Sequence, residues 1–126
     1  MEINMGKVFL FNIEEKKELK IKMICVSLRL QYEVVSSEMF SMKMESIVGF
    51  SDDRTKTGES FSEEMLYLAG FTQTELNRFL SELRRKKAAV ELKAIMTERN
   101  LKYTAAELCK EIAAEHEAMQ SGKTVH

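Results

Sequence analysis

The segment "EMLYLAGFTQTELNRFLSELRR", residues 64–85, carries the clearest fold information in the chain. Met65 to Ala69 is an unbroken apolar run, typical of a strand that is buried on both faces. Gly70 ends the run, and Thr72 with Glu75 fits a capping box, in which a hydroxyl and a carboxylate each satisfy an unpaired amide at a helix start. A helical stripe follows, formed by Leu76, Phe79, Leu80 and Leu83. The segment therefore predicts a strand followed by a capped helix.

Further strands complete two similar halves. Val90 to Met96 has strand composition, which closes a strand–helix–strand unit. The N-terminal half repeats this plan, because "KVFLFNI" (7–13) and "QYEVVSS" (31–37) resemble strands on either side of a predicted helix over Glu14 to Leu30. The apolar side chains of that helix expected to face the core are Leu19, Met23, Val26 and Leu30.

Two βαβ-like halves predict an α/β fold in which a four-stranded sheet carries helices packed on it, as in a ferredoxin-like sandwich. A doubly wound parallel sheet is the alternative. The length of 126 residues suits a single domain. A last helix is predicted from Thr104, with Glu107 completing a second capping box. The expected organisation is an N-terminal half at 7–50, a polar loop at 51–62, a C-terminal half at 63–119 and a frayed tail at 120–126.

Composition places the chain among globular proteins and gives no sign of a polyanion or membrane partner. Hydrophobic residues make up 44% and charged residues 31%, and the formal net charge is −1. The apolar runs are far shorter than the roughly 20 residues that cross a bilayer. These features favour a cytoplasmic protein, argue against nucleic-acid binding and predict no contact with a membrane.

Catalytic and metal-binding patterns are nearly absent from the sequence. The five glycines are too scattered for a phosphate-binding loop. Cys109 and His116 are seven residues apart on a predicted helix, about 10.5 Å along its axis, which is too far for a nucleophile and its base. Cys25 and Cys109 are expected as buried thiols, with a structural disulfide as the alternative, and neither shares a ligand spacing with a histidine. The sequence therefore predicts no metal and no cofactor, and it favours a protein that is not an enzyme.

One polar group could bind a ligand. In "ELKAIMTERN" (91–100), Lys93 and Thr97 point to the same side of the predicted strand and Asn100 follows its carboxyl end. Ligands collect at that end of strands in open parallel sheets. Together with the amides around Gly70 and Thr72, these side chains predict an anion or small-metabolite site. A solvated lysine and a turn asparagine are the alternative.

An apolar segment could bind a protein. Flexible thioethers re-pack against varied partners, so Met39, Phe40, Met42 and Met44 predict a contact surface, although core filling explains the same residues. The function favoured by the sequence is a non-catalytic module that binds a protein partner or itself, through residues 39–50 or an open sheet edge. Metabolite binding is one alternative. Single-stranded RNA binding is another, because Phe9 in "VFLFNI" matches the position of an aromatic that stacks on a base.

The C-terminal half resembles a known family. The runs "EEMLYLAGFTQTELNRFLSELRR" (63–85) and "LKAIMTERNLKYTAAELCKEIAAEH" (92–116) resemble a small bacterial family known as domain of unknown function three-seven-eight-three. Its pattern is met by Gly70, Phe71, Leu92, Lys93, Ala94, Thr97, Asn100, Tyr103, Glu115 and His116. The family tends to have proline where the chain has Glu98, and its aromatic at the position of Tyr103 tends to be tryptophan. Its usual glycine, glutamine and proline are replaced by Ser41, Met42 and Lys43. The resemblance implies a related fold and a cytosolic bacterial setting, but no reaction.

Overall fold

A computed structural model describes residues 6–120 of the chain. Its elements are β1 (Lys7–Phe11), α1 (Glu15–Leu28), β2 (Gln31–Val34), α2 (Met44–Ile47), β3 (Met65–Ala69), α3 (Gln73–Arg85), β4 (Leu92–Ile95) and α4 (Ala105–Gln120). Short 3₁₀ turns occupy Ser37–Met39 and Asn100–Lys102. None of the helices within residues 6–120 is long and apolar enough to cross a membrane. The tail predicted to fray lies, from residue 121 onward, outside the described residues.

The four strands form one mixed sheet in the order β2-β1-β3-β4. Strand β1 runs parallel to β2, β3 runs parallel to β4, and the central pair β1–β3 is antiparallel. The prediction that two strand–helix–strand halves share a four-stranded sheet is confirmed. The ferredoxin-like arrangement is not confirmed, because there another strand separates the two strands of each unit. The antiparallel central pair also differs from the doubly wound parallel alternative.

Both faces of the sheet are covered, because the central strands are apolar on both sides. Val8 and Leu10 of β1 pack in the layer that contains α1 and α3. Phe9 and Phe11 point to the other face, where they pack against residues of α4 and of the 35–47 segment. Alternate residues of each central strand therefore belong to two separate apolar clusters, as the pleat of a strand requires.

The orientation of α1 differs from the prediction. Leu19, Met23 and Val26 were expected to face the core, and this expectation is wrong: their exposed fractions are 60%, 64% and 67%. The helix instead buries Ile21, Ile24 and Cys25 against the sheet. Leu30 is buried, but it lies beyond the helix, after the left-handed turn at Arg29. The cause is that α1 has apolar side chains on two opposite sides, and only one side can contact the sheet.

Backbone hydrogen bonds attach the segment before α2 to the start of α4. The amide of Met44 donates to the carbonyl of Tyr103 at 2.7 Å. In return, the amides of Ala105 and Ala106 donate to the carbonyls of Met42 and Phe40, at 3.1 and 3.0 Å. Three bonds of this kind hold the N-terminal half to the last helix on one face of the sheet, and they use amides at the start of α4.

Gly6, directly before β1, should be intolerant of any side chain. A Cβ atom at this position would lie 2.7 Å from Cδ1 of Phe71, whose ring packs on Phe79. We expect Gly6→Ala to lower the free energy of unfolding by roughly 1–3 kcal/mol, the usual cost of overpacking. Urea denaturation measures this loss.

A double-mutant cycle assigns the loss to the contact with Phe71. If the contact is the cause, Gly6→Ala will cost much less in the background of Phe71→Ala, where the ring is missing. Equal costs in the two backgrounds would show that the clash does not explain the effect.

Candidate functional site

Asn100 uses its side chain to hold the turn that follows β4. Its Oδ1 accepts hydrogen bonds from the hydroxyl of Tyr67 at 2.6 Å and from the amide of Thr97 at 3.0 Å. Its Nδ2 donates to the carbonyl of Ile95 at 2.9 Å. The hydroxyl of Thr97 in turn accepts from the amide of Asn100 at 3.0 Å. Two residues of the predicted ligand site, Thr97 and Asn100, therefore hold the turn together.

Lys93 does not join them. Its ammonium donates to the carbonyl of Val90 at 2.6 Å, at the start of β4, whereas Thr97 and Asn100 follow the strand's other end. Burial lowers the pKa of Lys93, and the positive charge of Arg84 lowers it further. Thr97 and Asn100 thus lie together in the turn after β4, while Lys93 makes a separate contact near the start of the strand.

Gly70 and Thr72 shape the turn into α3. Gly70 adopts a positive φ of 75°, a conformation that glycine reaches without strain. The predicted capping box is present: the amide of Glu75 donates to the hydroxyl of Thr72, and the amide of Thr72 donates to the carboxylate of Glu75, both at 3.0 Å. Because the carboxylate of Glu75 already occupies this helix start, a second anion would meet repulsion there.

The methionine segment is part of the core. Phe40, Met42 and Met44 are at most 2% exposed, and Met39 is partly buried against the same cluster. The ring of Phe40 stacks on that of Phe61 with 4.5 Å between ring centroids. A partner could reach Phe40, Met42 and Met44 only if the core opened, whereas Phe50, at the end of the predicted 39–50 segment, is 58% exposed.

Phe9 is equally inaccessible. Phe9 is 1% exposed, and its ring meets that of Tyr67 edge-on at 6.4 Å between centroids. The ammonium of Lys7 lies 5.0 Å from the ring centroid of Phe9. A base would need a free ring face for stacking. The ring of Phe9 has no free face in this structure, so the geometry gives no support to RNA binding through this residue.

A cleft of about 690 Å³ lies between residues 59–63 and α4, but its polar groups do not form a catalytic set. The sulfur of Cys109 lies 3.9 Å from Oε1 of Glu63, and burial, followed by the charge of Glu63, raises the thiol pKa to about 11. His116 is 3.6 Å from Glu91 and makes no bond to Cys109. Within residues 6–120 there is no group of His, Cys, Asp and Glu side chains that could hold a metal ion.

The most distinctive surface is the outer side of α1. Leu19, Met23 and Val26 follow one another at intervals of four and three residues, which places them in line on one side of the helix. We call these three residues the α1 stripe. Beside it, a groove of about 300 Å³ between α1 and α3 is lined by Lys20, Met23, Ile24, Ser27, Glu82, Arg85 and Lys86. The sequence did reveal the stripe as an apolar pattern, but its spacing could not tell the outer side of the helix from the inner one.

Charge is divided between the two helical layers. Residues 15–28 and 73–87, which contain α1 and α3, carry nine lysines and arginines against four glutamates. On the opposite layer, α4 carries one lysine and four glutamates. The loop at 51–64 has five acidic and two basic residues. The net charge of −1 thus conceals a basic side and an acidic side.

Together the fold and its surfaces define a mixed α/β domain whose most prominent polar groups serve its own structure. Residues 64–119 match the model of a family described as Domain of unknown function (DUF3783). The resemblance proposed from the sequence is confirmed for this part of the chain, which contains β3, α3, β4 and α4 up to Met119. No curated protein and no solved structure matches the chain.

Asn100→Ala should lower the free energy of unfolding by roughly 2–3 kcal/mol, because it removes three hydrogen bonds and leaves the buried hydroxyl of Tyr67 without its acceptor. Chemical denaturation measures the loss. Asn77→Ala, on the exposed side of α3, serves as the control and should change stability by less than about 0.5 kcal/mol. An unchanged stability for Asn100→Ala would mean that the side chain is not committed to the fold.

Both cysteines should react slowly with thiol reagents in the folded protein. Burial raises the pKa of Cys25 to about 12, and the pKa of Cys109 is also raised, so less thiolate is present at pH 8 than in the unfolded chain. Absorbance with a disulfide reagent, before and after urea is added, measures the two rates. A fast-reacting thiol in the native protein would contradict the assignment of both cysteines to the core.

Proposed function

We propose that this protein is a non-catalytic protein-binding module whose contact surface is the α1 stripe. The observation that carries the proposal is that Leu19, Met23 and Val26 lie side by side and that each has an exposed fraction of 60–67%. Single exposed apolar residues are normal, but adjacent ones that form a patch indicate an interaction site. Removing the exposed part of these side chains from water favours association by roughly 25 cal/mol per Å² of apolar area, before the costs of binding are subtracted.

Sheet edges are a weaker candidate surface. The edge strand β2 exposes Tyr32 and Val34, and the edge strand β4 exposes Ile95. Each edge strand is four residues long, and such short edges offer few backbone groups to a partner strand. The ammonium of Lys22 also lies 5.8 Å from the ring centroid of Tyr32, next to the β2 edge. These features favour the α1 stripe over an edge.

The binding role is also supported by the polar residues of the predicted ligand site, which make hydrogen bonds within the protein itself. Asn100, Thr97 and Lys93 bond to their own chain, and Thr72 caps α3.

A cytoplasmic setting belongs to the same proposal. It is supported by Cys25 and Cys109, which are both free and buried, as is usual in a reducing compartment.

Site-specific photo-crosslinking tests the proposal. A benzophenone side chain introduced in place of Met23, in cells that produce the full chain, should give discrete adducts, either with another protein or with a second copy. The same group in place of Met119, a methionine on α4 that is 70% exposed, is the matched control and should not give these adducts. Absence of adducts at position 23, or the same adducts from both positions, would refute the α1 stripe as a contact surface.

A further inference from the structure

The α1 stripe borders a groove whose rim is basic. Met23 belongs both to the stripe and to the groove between α1 and α3, and Ile24 lies beside it. Lys20 on α1 and Lys86, directly after α3, stand on opposite sides of the groove, which Glu82 of α3 lines as well. An apolar side chain of a guest could therefore enter between the helices, with basic groups on both sides of it.

Of the two rim lysines, Lys20 has no ion pair among the described residues, whereas Lys86 already interacts with the charge of Glu82. The ammonium of Lys20 donates to the carbonyl of Lys86 at 3.1 Å, a contact that leaves its charge uncompensated. Arg85, also on the rim, pairs with Glu82 at 2.9 Å. Glu82 and Glu15 also lie on this surface, but basic residues outnumber acidic ones by nine to four over 15–28 and 73–87. This excess of positive charge beside an apolar line is complementary to an apolar line flanked by carboxylates.

The size of the surface fits one helix rather than a whole protein face. A standard interface buries about 800 Å² on each partner, far more than three side chains and a groove provide. An amphipathic helix that presents residues at intervals of three and four needs only a line of apolar contacts and a groove. The stripe has the same spacing, so the two lines can align along their length.

A second copy fits less well in this place. If α1 packed on α1 of another copy about a two-fold axis, the lysines that flank each stripe would approach one another. Helix α1 carries four lysines against two glutamates, so two copies of it would bring together an excess of positive charge. Lys22 pairs with Glu18 at 3.0 Å and Lys16 interacts with Glu14, whereas Lys20 has no ion pair among the described residues. Charge repulsion therefore opposes the symmetric pair and favours a partner of opposite sign.

We infer that the α1–α3 groove and the α1 stripe bind an acidic amphipathic helix of a partner protein. The inference rests on the proposed function and adds the chemistry of the partner. The apolar residues of that helix would lie on Leu19, Met23 and Val26. Its carboxylates would meet the ammonium groups of Lys20 and Lys86.

Two model peptides test this inference with the full chain. The first is a labelled helical peptide with leucines at intervals of three and four residues and glutamates at the flanking positions. The second carries lysines in place of those glutamates. Fluorescence anisotropy should show at least about tenfold tighter binding of the acidic peptide, a difference near 1.4 kcal/mol, and its affinity should fall as salt is added.

Variants on the exposed surface connect the affinity to the named residues. Met23→Ser and Lys20→Glu should each weaken binding of the acidic peptide by about fivefold or more. The matched controls, Met119→Ser and Lys110→Glu on α4, should leave it unchanged. Circular dichroism of each variant establishes that the fold is intact, since all four side chains are exposed.

Several results would overturn the inference. Equal affinities for the two peptides would refute the preference for an acidic partner. An unchanged affinity for the acidic peptide in the Met23→Ser variant would refute the α1 stripe as the binding site. A single-stranded oligonucleotide could also displace the acidic peptide. If it does so equally well from the Met23→Ser variant and from the parent protein, the surface binds anions in general. If crosslinks from position 23 reach only a second copy and the acidic peptide does not compete with them, the binding function stands and the acidic partner is refuted.

Discussion

The antiparallel pairing of β1 with β3 is the constraint on which the rest of the structure depends. It runs from Lys7 opposite Ala69 to Phe11 opposite Met65, and it joins the two halves into one sheet. Because both strands are apolar on both sides, each face of the sheet needs a cover of its own. Helices α1 and α3 cover one face. The other face is covered by α4 together with the chain that contains Phe40, Met42 and Met44. The methionine-rich segment is therefore used as core material.

The sequence predicted correctly those strands and helices whose signals lie within a short stretch of residues. The apolar run at 65–69 and the capping box of Thr72 and Glu75 lie within a few residues of each other, and both were predicted correctly. The orientation of α1 could not be predicted in this way. Ile21, Ile24 and Cys25 repeat with a helical period, and so do Leu19, Met23 and Val26 on the opposite side. Period alone does not choose between two such stripes, and the choice depends on packing against a sheet that is distant in sequence. Strand order is likewise decided by contacts between the halves.

The structural use of the candidate ligand residues could not be predicted from the sequence for a related reason. A threonine and an asparagine after a strand have the same appearance whether they bind a metabolite or close a turn. What decides between the two uses is the hydroxyl of Tyr67, which lies 33 residues before Asn100 in the chain and donates to its side chain at 2.6 Å. The division of charge was hidden as well, because basic α1–α3 and acidic α4 nearly cancel in the total. Only the placement of helices on opposite faces separates them.

The functional account therefore depends on which apolar residues the protein presents to solvent. Methionine methyl NMR in the presence of a soluble paramagnetic gadolinium chelate tests this most directly, because the nine methionines report on core and surface in one spectrum. The account predicts strong broadening of the Met23 signal, comparable to that of Met119, while Met42, Met44 and Met65 remain sharp. Protection of Met23 together with broadening of Met42 and Met44 would contradict it.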